Sequence, residues 1–158
     1  MFRKATLDDI PQTAEIFRQL HELHVKAKPE SFRTVPIEFF RDRLEWYVKG
    51  ENAEVLVADE GGITAFAAVK LLDVTAEEKF PRRLCYIDCF AVDESRRRQG
   101  TGKRLMGYIR EFARENACTS VQLGVAGFNE AAQDFYKAMG FTPRTFIMEQ
   151  KLQLTTNN

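Results

Sequence analysis

The stretch Val92-Asp93-Glu94-Ser95-Arg96-Arg97-Arg98-Gln99-Gly100-Thr101-Gly102-Lys103-Arg104-Leu105 limits the possible folds more than any other part of the chain. An apolar run, Leu84 to Val92, ends there. A basic turn with two glycines follows, and Leu105, Met106, Ile109, Phe112 and Ala113 then recur at helical spacing. A buried strand is therefore expected to pass through a tight turn into an amphipathic helix. Glycine lets the backbone curl closely around a ligand. The free N–H groups of a helix start then point at one place, which makes an anion site suited to diphosphate. Arg97, Arg98 and Lys103 add positive charge.

The remaining patterns give this unit its context. Residues 2 to 5 read as a short first strand. Thr6-Leu7-Asp8-Asp9 is a helix start, with a capping residue and acids in the first turn. Ile10, Ala14, Phe17, Leu20 and His24 carry that helix to about His24. Pro29 marks a loop, and Ile37, Phe40, Leu44 and Tyr47 or Val48 line a second helix. Glu54–Asp59 and Ile63–Leu72 read as strands about a Glu60-Gly61-Gly62 hairpin turn. Residues 73 to 83, charged and containing Pro81, read as a loop. After the basic turn come a helix over 102–116, a strand over 120–125 and a short helix from Asn129 to Met139, stopped by Gly140. Residues 144 to 152 are expected to form a last strand. This order implies an α/β (α+β mixed) fold, with one mixed sheet and helices on both faces. No linker divides it, so residues 1–154 read as one domain and 155–158 as a loose tail.

Composition excludes several classes. At 158 residues the chain can bury roughly two-thirds of its surface without staples. Lysine plus arginine and aspartate plus glutamate number 23 each, so no global field draws the chain to nucleic acid or an anionic membrane. The N-terminus lacks the apolar run of a secretion signal, and no stretch approaches a membrane span. Cys85, Cys89 and Cys118 are an odd number without CxxC spacing, and they read as packed, reduced thiols in a cytoplasmic protein. No metal site is expected, because His21 and His24 lack the HExxH spacing.

Two nucleotide motifs fail on the basic turn. A P-loop would need glycine where Arg97 stands and Ser or Thr where Arg104 stands. A dinucleotide fingerprint would need glycine at Leu105. What remains, Arg97-x-x-Gly100-x-Gly102, resembles the phosphate-binding motif of the GNAT superfamily, the acetyl-CoA-dependent N-acetyltransferases. Downstream, Asn129-Glu130-Ala131-Ala132-Gln133-Asp134-Phe135-Tyr136-Lys137-Ala138-Met139-Gly140-Phe141 resembles the family's second motif, Asn-x-x-Ala-x-x-Phe-Tyr-x-x-x-Gly-Phe. The element order agrees over nearly the whole chain. The first fifty residues match only as element types.

The resemblance implies a set of roles. Backbone amides of Arg98, Gln99, Gly100, Thr101, Gly102 and Lys103, with Arg97 beside them, would hold the diphosphate of CoA. The strand end at Phe90, Ala91 and Val92 would pair with the pantetheine arm, and one amide there would polarise the thioester carbonyl. The strand after Thr119 would splay away to make room. Asn129 would hydrogen-bond the pantetheine, and Tyr136 would act as general acid near the sulfur. A primary amine of a small molecule, peptide or protein would be the acceptor. At neutral pH only about one lysine-like amine in 2,500 is unprotonated, a handicap of roughly 4.6 kcal/mol. A base is therefore useful, and Asp88, acting through water, stands where many relatives carry Glu. His24 and Phe32 would line the acceptor pocket, and Phe39, Phe40 and Trp46 would form core and pocket wall. A homodimer is a family habit.

Each of these residues also has a plainer role. An arginine run is a solvated face or a nucleic-acid patch, Tyr136 a core aromatic, Asp88 a strand-end polar group and Asn129 a helix cap. Two alternatives to an enzyme stay open: a silent CoA-binding or interaction module on the same fold, and a nucleic-acid binder through Arg96-Arg97-Arg98.

Overall fold

The Glu60-Gly61-Gly62 turn shows why the central hairpin forms where it does. Gly61 and Gly62 have φ of +84° and +143°, which side-chain-bearing residues rarely adopt. The Glu60 N–H donates to the Gly62 carbonyl at 3.0 Å and closes the turn. Around this hairpin the computed structural model, which describes residues 1–155, builds one sheet. Its strands are β1 (Phe2–Lys4), β2 (Ala53–Asp59), β3 (Ile63–Val74), β4 (Arg82–Val92) and β5 (Ser120–Leu123), adjacent in that order. All neighbours are antiparallel except β4 and β5. The helices are α1 (Ile10–Ala27), α2 (Ile37–Lys49), α3 (Thr101–Glu115) and α4 (Glu130–Ala138), with single 3-10 turns at Leu7–Asp9 and Glu94–Arg96.

Side chains alternate across a strand, so β2 and β3 feed two cores at once. Val55, Val57, Phe66 and Ala68 face α1 and α2, where they meet Ile16, Phe17, Phe40 and Leu44. Leu56, Ala65, Ala67 and Val69 face α3, where they meet Leu105, Met106, Ile109 and Phe112. Both sheet faces are thus covered, as a strand pair apolar on both sides requires.

Three expectations are corrected. Residues 144–152 form no strand: the chain from Thr142 to Thr155 has no regular structure and lies exposed. A strand needs a partner as well as a pattern, and this segment has none among the described residues. Phe39 and Trp46 lie on the outer side of α2, 42% and 57% exposed, and only Phe40 is core. The charged stretch 73–83 is shorter as a loop, because β3 runs to Val74 and pairs with Arg82 at the start of β4. That end of the hairpin carries the charged residues Asp73, Arg82 and Arg83, so it gives no apolar signal. Thr155 is exposed and irregular, and the other tail residues, Thr156 to Asn158, lie outside the described residues.

One ionic cluster ties the sheet edge to the first helix. Arg3 of β1 donates to both carboxylate oxygens of Asp9, at 2.7 and 2.9 Å, and to Asp59 at the end of β2, at 2.8 Å. The Arg3 hydrogen bonds hold the Asp9 carboxyl down at about 2, helped by the Thr6 N–H. A carboxyl lowered on folding contributes stability above its unfolded value, and that contribution is lost as pH falls through the folded value. Unfolding stability, followed by denaturant titration, should therefore drop as pH is taken from about 4 towards 2. Arg3→Ala should flatten the dependence in that window.

Candidate active site

The site begins with an irregularity in β4. Pairing with β3 runs in step from Val74↔Arg82 to Val69↔Ile87 and resumes at Ala68↔Cys89. Asp88 is left over as a bulge, which bends a strand and re-aims its side chains. The burial pattern records the switch. Cys85 and Ile87 pack towards α3, whereas Cys89 and Ala91 pack beneath α1 and α2, and Phe90 and Val92 take over the α3 side.

The bulge also marks where the sheet parts. Parallel pairing of β4 with β5 extends from Leu84↔Ser120 to Ile87↔Leu123 and no further. Beyond Leu123 the chain turns off through Gly124 towards α4. A Cβ on Gly124 would come within 3.3 Å of the Tyr86 hydroxyl. The β4 edge from Asp88 to Val92 is left without a strand beside it. The splay expected after Thr119 is present, and it opens a wedge between β4 and α4.

The basic turn lies at the wide end of this wedge. Arg98 and Gly100 have φ of +63° and +80°, so the backbone reverses sharply before α3. Among the described residues, no backbone N–H from Arg98 to Lys103 donates to a protein acceptor. Asp93 braces the entry to the turn, accepting from the Ser95 N–H at 2.9 Å and from the Gln19 amide at 3.2 Å. The Gln19 oxygen in turn accepts from the Glu94 N–H at 3.0 Å. The Arg97 guanidinium folds back onto the Val92 carbonyl at 3.3 Å. Thr101 is buried, its Oγ1 accepting from the Arg104 guanidinium at 3.2 Å, and Gln99 and Lys103 are exposed. A Cβ on Gly102 would lie 3.3 Å from Val92 and 3.5 Å from Phe135, which shows how closely α3 starts against β4 and α4.

Aromatic side chains cover the α4 side. The Phe90 ring lies 5.7 Å from Phe135 and 6.2 Å from Tyr136, and Tyr136 lies 5.8 Å from Phe141. Burial pushes the Tyr136 phenol up to about 12, with Cys89 adding to the effect. Asn129 caps α4, its side-chain oxygen accepting from the Ala132 N–H at 3.1 Å.

Asp88 is held on the α2 side. Its Oδ2 accepts from the Tyr47 hydroxyl and lies 3.1 Å from the Lys70 ammonium. That ammonium sits over the Trp46 and Tyr47 rings, 5.5 and 5.7 Å from their centres. Burial and the neighbouring carboxylate raise the Tyr47 phenol, so it remains a donor. Burial also pushes the Cys89 thiol up to about 12, so it is no nucleophile at neutral pH. His24 and Phe32 do meet: their rings lie 5.3 Å apart, and Phe128 lies 5.6 Å from His24. The His24 Nδ1 donates to the Leu20 carbonyl at 3.0 Å. The end of α1 thus reaches the loop that leads into α4.

The structure therefore brings Phe90, Val92 and Tyr136 together beside the turn Arg97 to Lys103, with Ala91 between them in β4, Asp88 where β4 and β5 part, and Asn129 at the start of α4. Ala91 faces the core, leaving only its backbone to a ligand. The bulge, the Tyr47–Lys70 support, the Gln19 brace and Phe128 are additions to the residues read from sequence. The bulge had one signal, the break in alternation between Ile87 and Phe90. Among the described residues, no group of three or more His, Cys, Asp or Glu side chains is placed to hold a metal.

Comparison with known proteins gives the family. The model of the Acetyltransferase (GNAT) family matches residues 17–141. Among curated proteins, none matches the chain significantly. The tetramutant of the BH1408 protein from Bacillus halodurans superposes with a TM-score of 0.90 at 30% identity, over 96% of this chain and 99% of its own. An acetyltransferase of Trypanosoma brucei shares the fold with a TM-score of 0.68 at 20% identity, over 96% and 99% of the two chains. So does the aminoglycoside acetyltransferase meta-AAC0020, from an uncultured soil metagenomic sample and solved with sisomicin. Its TM-score is 0.68 at 20% identity, over 98% and 96%. With a family match across most of its length and a relative of the same fold along nearly all of it, the chain belongs to the GNAT acetyltransferase family.

Proposed function

We propose that the chain transfers an acetyl group from acetyl-CoA to a primary amine, in the wedge beside β4. One observation carries the reading: a strand edge without a neighbouring strand and a run of N–H groups without acceptors lie beside the same wedge. The first is the β4 edge from Asp88 to Val92. The second is the run of N–H groups from Arg98 to Lys103. A diphosphate suits the second, because helix-start amides favour negative charge. An extended arm bearing amides suits the first, as an added strand would. Arg98 and Lys103 offset the phosphate charge. The Asn129 amide nitrogen remains available to the arm, because the helix cap uses only its oxygen.

Acetyl-CoA supplies an acetyl group activated as a thioester. The amine forms the new C–N bond as the C–S bond breaks, and the chain manages the protons. A β4-edge N–H polarises the carbonyl in the transition state. With its phenol at about 12, Tyr136 keeps its proton through the neutral range and offers it to the departing sulfur. Asp88 takes the amine's proton through water at Oδ1, because Tyr47 and Lys70 both engage Oδ2. His24, Phe32 and Phe128 form the acceptor-side wall. Unpaired thiols at Cys85, Cys89 and Cys118 suit a reducing cytoplasm.

Calorimetric titration should show binding of acetyl-CoA and not of ATP, and an amine panel should then release thiol. Binding without thiol release from any amine would identify a CoA sensor instead. Tyr136→Phe should lower kcat about a hundredfold while acetyl-CoA affinity changes little. Full turnover in that variant would remove Tyr136 as the acid. Gly100→Val places a branched side chain at positive φ, which costs about 1–2 kcal/mol. It should weaken acetyl-CoA binding roughly tenfold, and unchanged affinity would displace the diphosphate from this turn.

A further inference from the structure

The α2 side of the site holds two positive charges that acetyl transfer itself does not use. Lys70 lies two residues from Ala68 on β3, on the same face of the sheet. Its Nζ lies 3.1 Å from the Asp88 Oδ2. An ammonium has three donors, and Asp88 engages one of them. The Lys70 side chain is 36% exposed, against 21% for Asp88, so the other donors have access to solvent. The Trp46 and Tyr47 rings hold the ammonium in place from α2. Arg43, one turn before Tyr47, is the second cation. Among the described residues it makes no ion pair, and its guanidinium lies over the Phe39 ring, 5.8 Å from the centre. Asp88, Lys70 and Arg43 all act on the Cys89 thiol beside the bulge, and Arg43 acts on the Tyr47 hydroxyl as well. They form one cluster, with two cations around a single carboxylate.

A bare amine, charged before it reacts, fits this cluster poorly. It meets a carboxylate whose Oδ2 already serves Tyr47 and Lys70, and it meets two cations with no anion of its own. An acceptor with several positive charges fits worse, because each one adds repulsion. An amine that also carries a carboxylate matches both signs. Its ammonium faces the free Oδ1 of Asp88, and its carboxylate faces Lys70 and Arg43. We infer that the acceptor is a zwitterion of the amino-acid type, selected by Lys70 and Arg43 through its carboxylate. The inference rests on the acetyl-transfer reading and narrows its acceptor. Lys70 and Arg43 act here as specificity residues, and the proton transfers stay with Asp88 and Tyr136. Hydrogen bonds between ionised groups are the strong ones, so one well-placed carboxylate is enough to discriminate. The two rings hold Lys70 in position before the acceptor arrives, which lessens the ordering cost of binding.

The test offers the full-length protein a set of free amino acids, each beside its methyl ester. Two readouts are kept separate: thiol release from acetyl-CoA, and calorimetric binding in the presence of free CoA. The ester has the less basic amine, so intrinsic reactivity favours it, and a preference for the acid comes from the protein. The expected result is at least one amino acid whose kcat/KM and affinity both exceed those of its ester about tenfold or more, the effect of one hydrogen bond to a charged group. Lys70→Met keeps the stem and removes the charge. Arg43→Glu reverses a charge that makes no ion pair with Asp88. Each variant should bring the acid-to-ester ratio towards one, and ratios unchanged in both would overturn the assignment of these residues. Esters used as well as acids would overturn the inference and leave acetyl transfer standing. Acids bound in preference to esters, with no thiol released, would support the carboxylate site and overturn acetyl transfer. No amino acid bound at millimolar concentration would overturn the inference outright. The comparison of acid with ester uses the unmodified chain, so it decides the question even if both variants fail to fold.

Discussion

Everything specific to the site depends on β4 being unable to keep two neighbours in step past Ile87. One extra residue, Asp88, breaks the ladder with β3, and the parallel ladder with β5 stops at the same place. A sheet continued without the bulge would pair the β4 edge fully and leave no room for a ligand. The bulge turns a structural strand into a binding edge. It also reverses the faces, so that Phe90 and Val92 lie beside the α4 aromatics while Cys89 and Ala91 seal the opposite core.

A parted sheet would be floppy if nothing held its lips apart. Three contacts do so. Gln19 on α1 bonds both Asp93 and the Glu94 N–H, fixing the chain as it leaves β4. Gly102 lets the start of α3 settle close against Val92, where a Cβ would lie at 3.3 Å and push the valine aside by a few tenths of an ångström. On the other side, Tyr47 and Lys70 grip the bulged carboxylate from α2 and β3. Each contact comes from a different element, so the wedge is a property of the whole fold.

The legible parts of the sequence were those with a strong local cause. The helices over 37–49 and 101–115 follow from apolar spacing, and the β2–β3 hairpin follows from two glycines. The phosphate turn follows from glycines set between a strand and a helix. The bulge at Asp88 left only the break in alternation between Ile87 and Phe90, a weak mark in a strand whose two faces are both largely apolar. The contacts of Asp88 with Tyr47 and Lys70 join residues far apart in sequence, and no local pattern encodes them. Residues 144–152 show the converse. Their alternation is that of a strand, but alternation records which side chains seek burial without specifying which edge receives them.

The three thiols have a practical consequence for enzymology. Burial pushes Cys85 and Cys89 up to about 12 and moves Cys118 upward as well. Only thiolates react readily with disulfide reagents, and a thiol at about 12 is ionised roughly one part in ten thousand at pH 8. A released coenzyme thiol, near 8.5, is ionised to about a quarter at that pH. A chromogenic disulfide added to the reaction would therefore capture product far faster than it captures these two buried cysteines, so turnover could be followed continuously without replacing them.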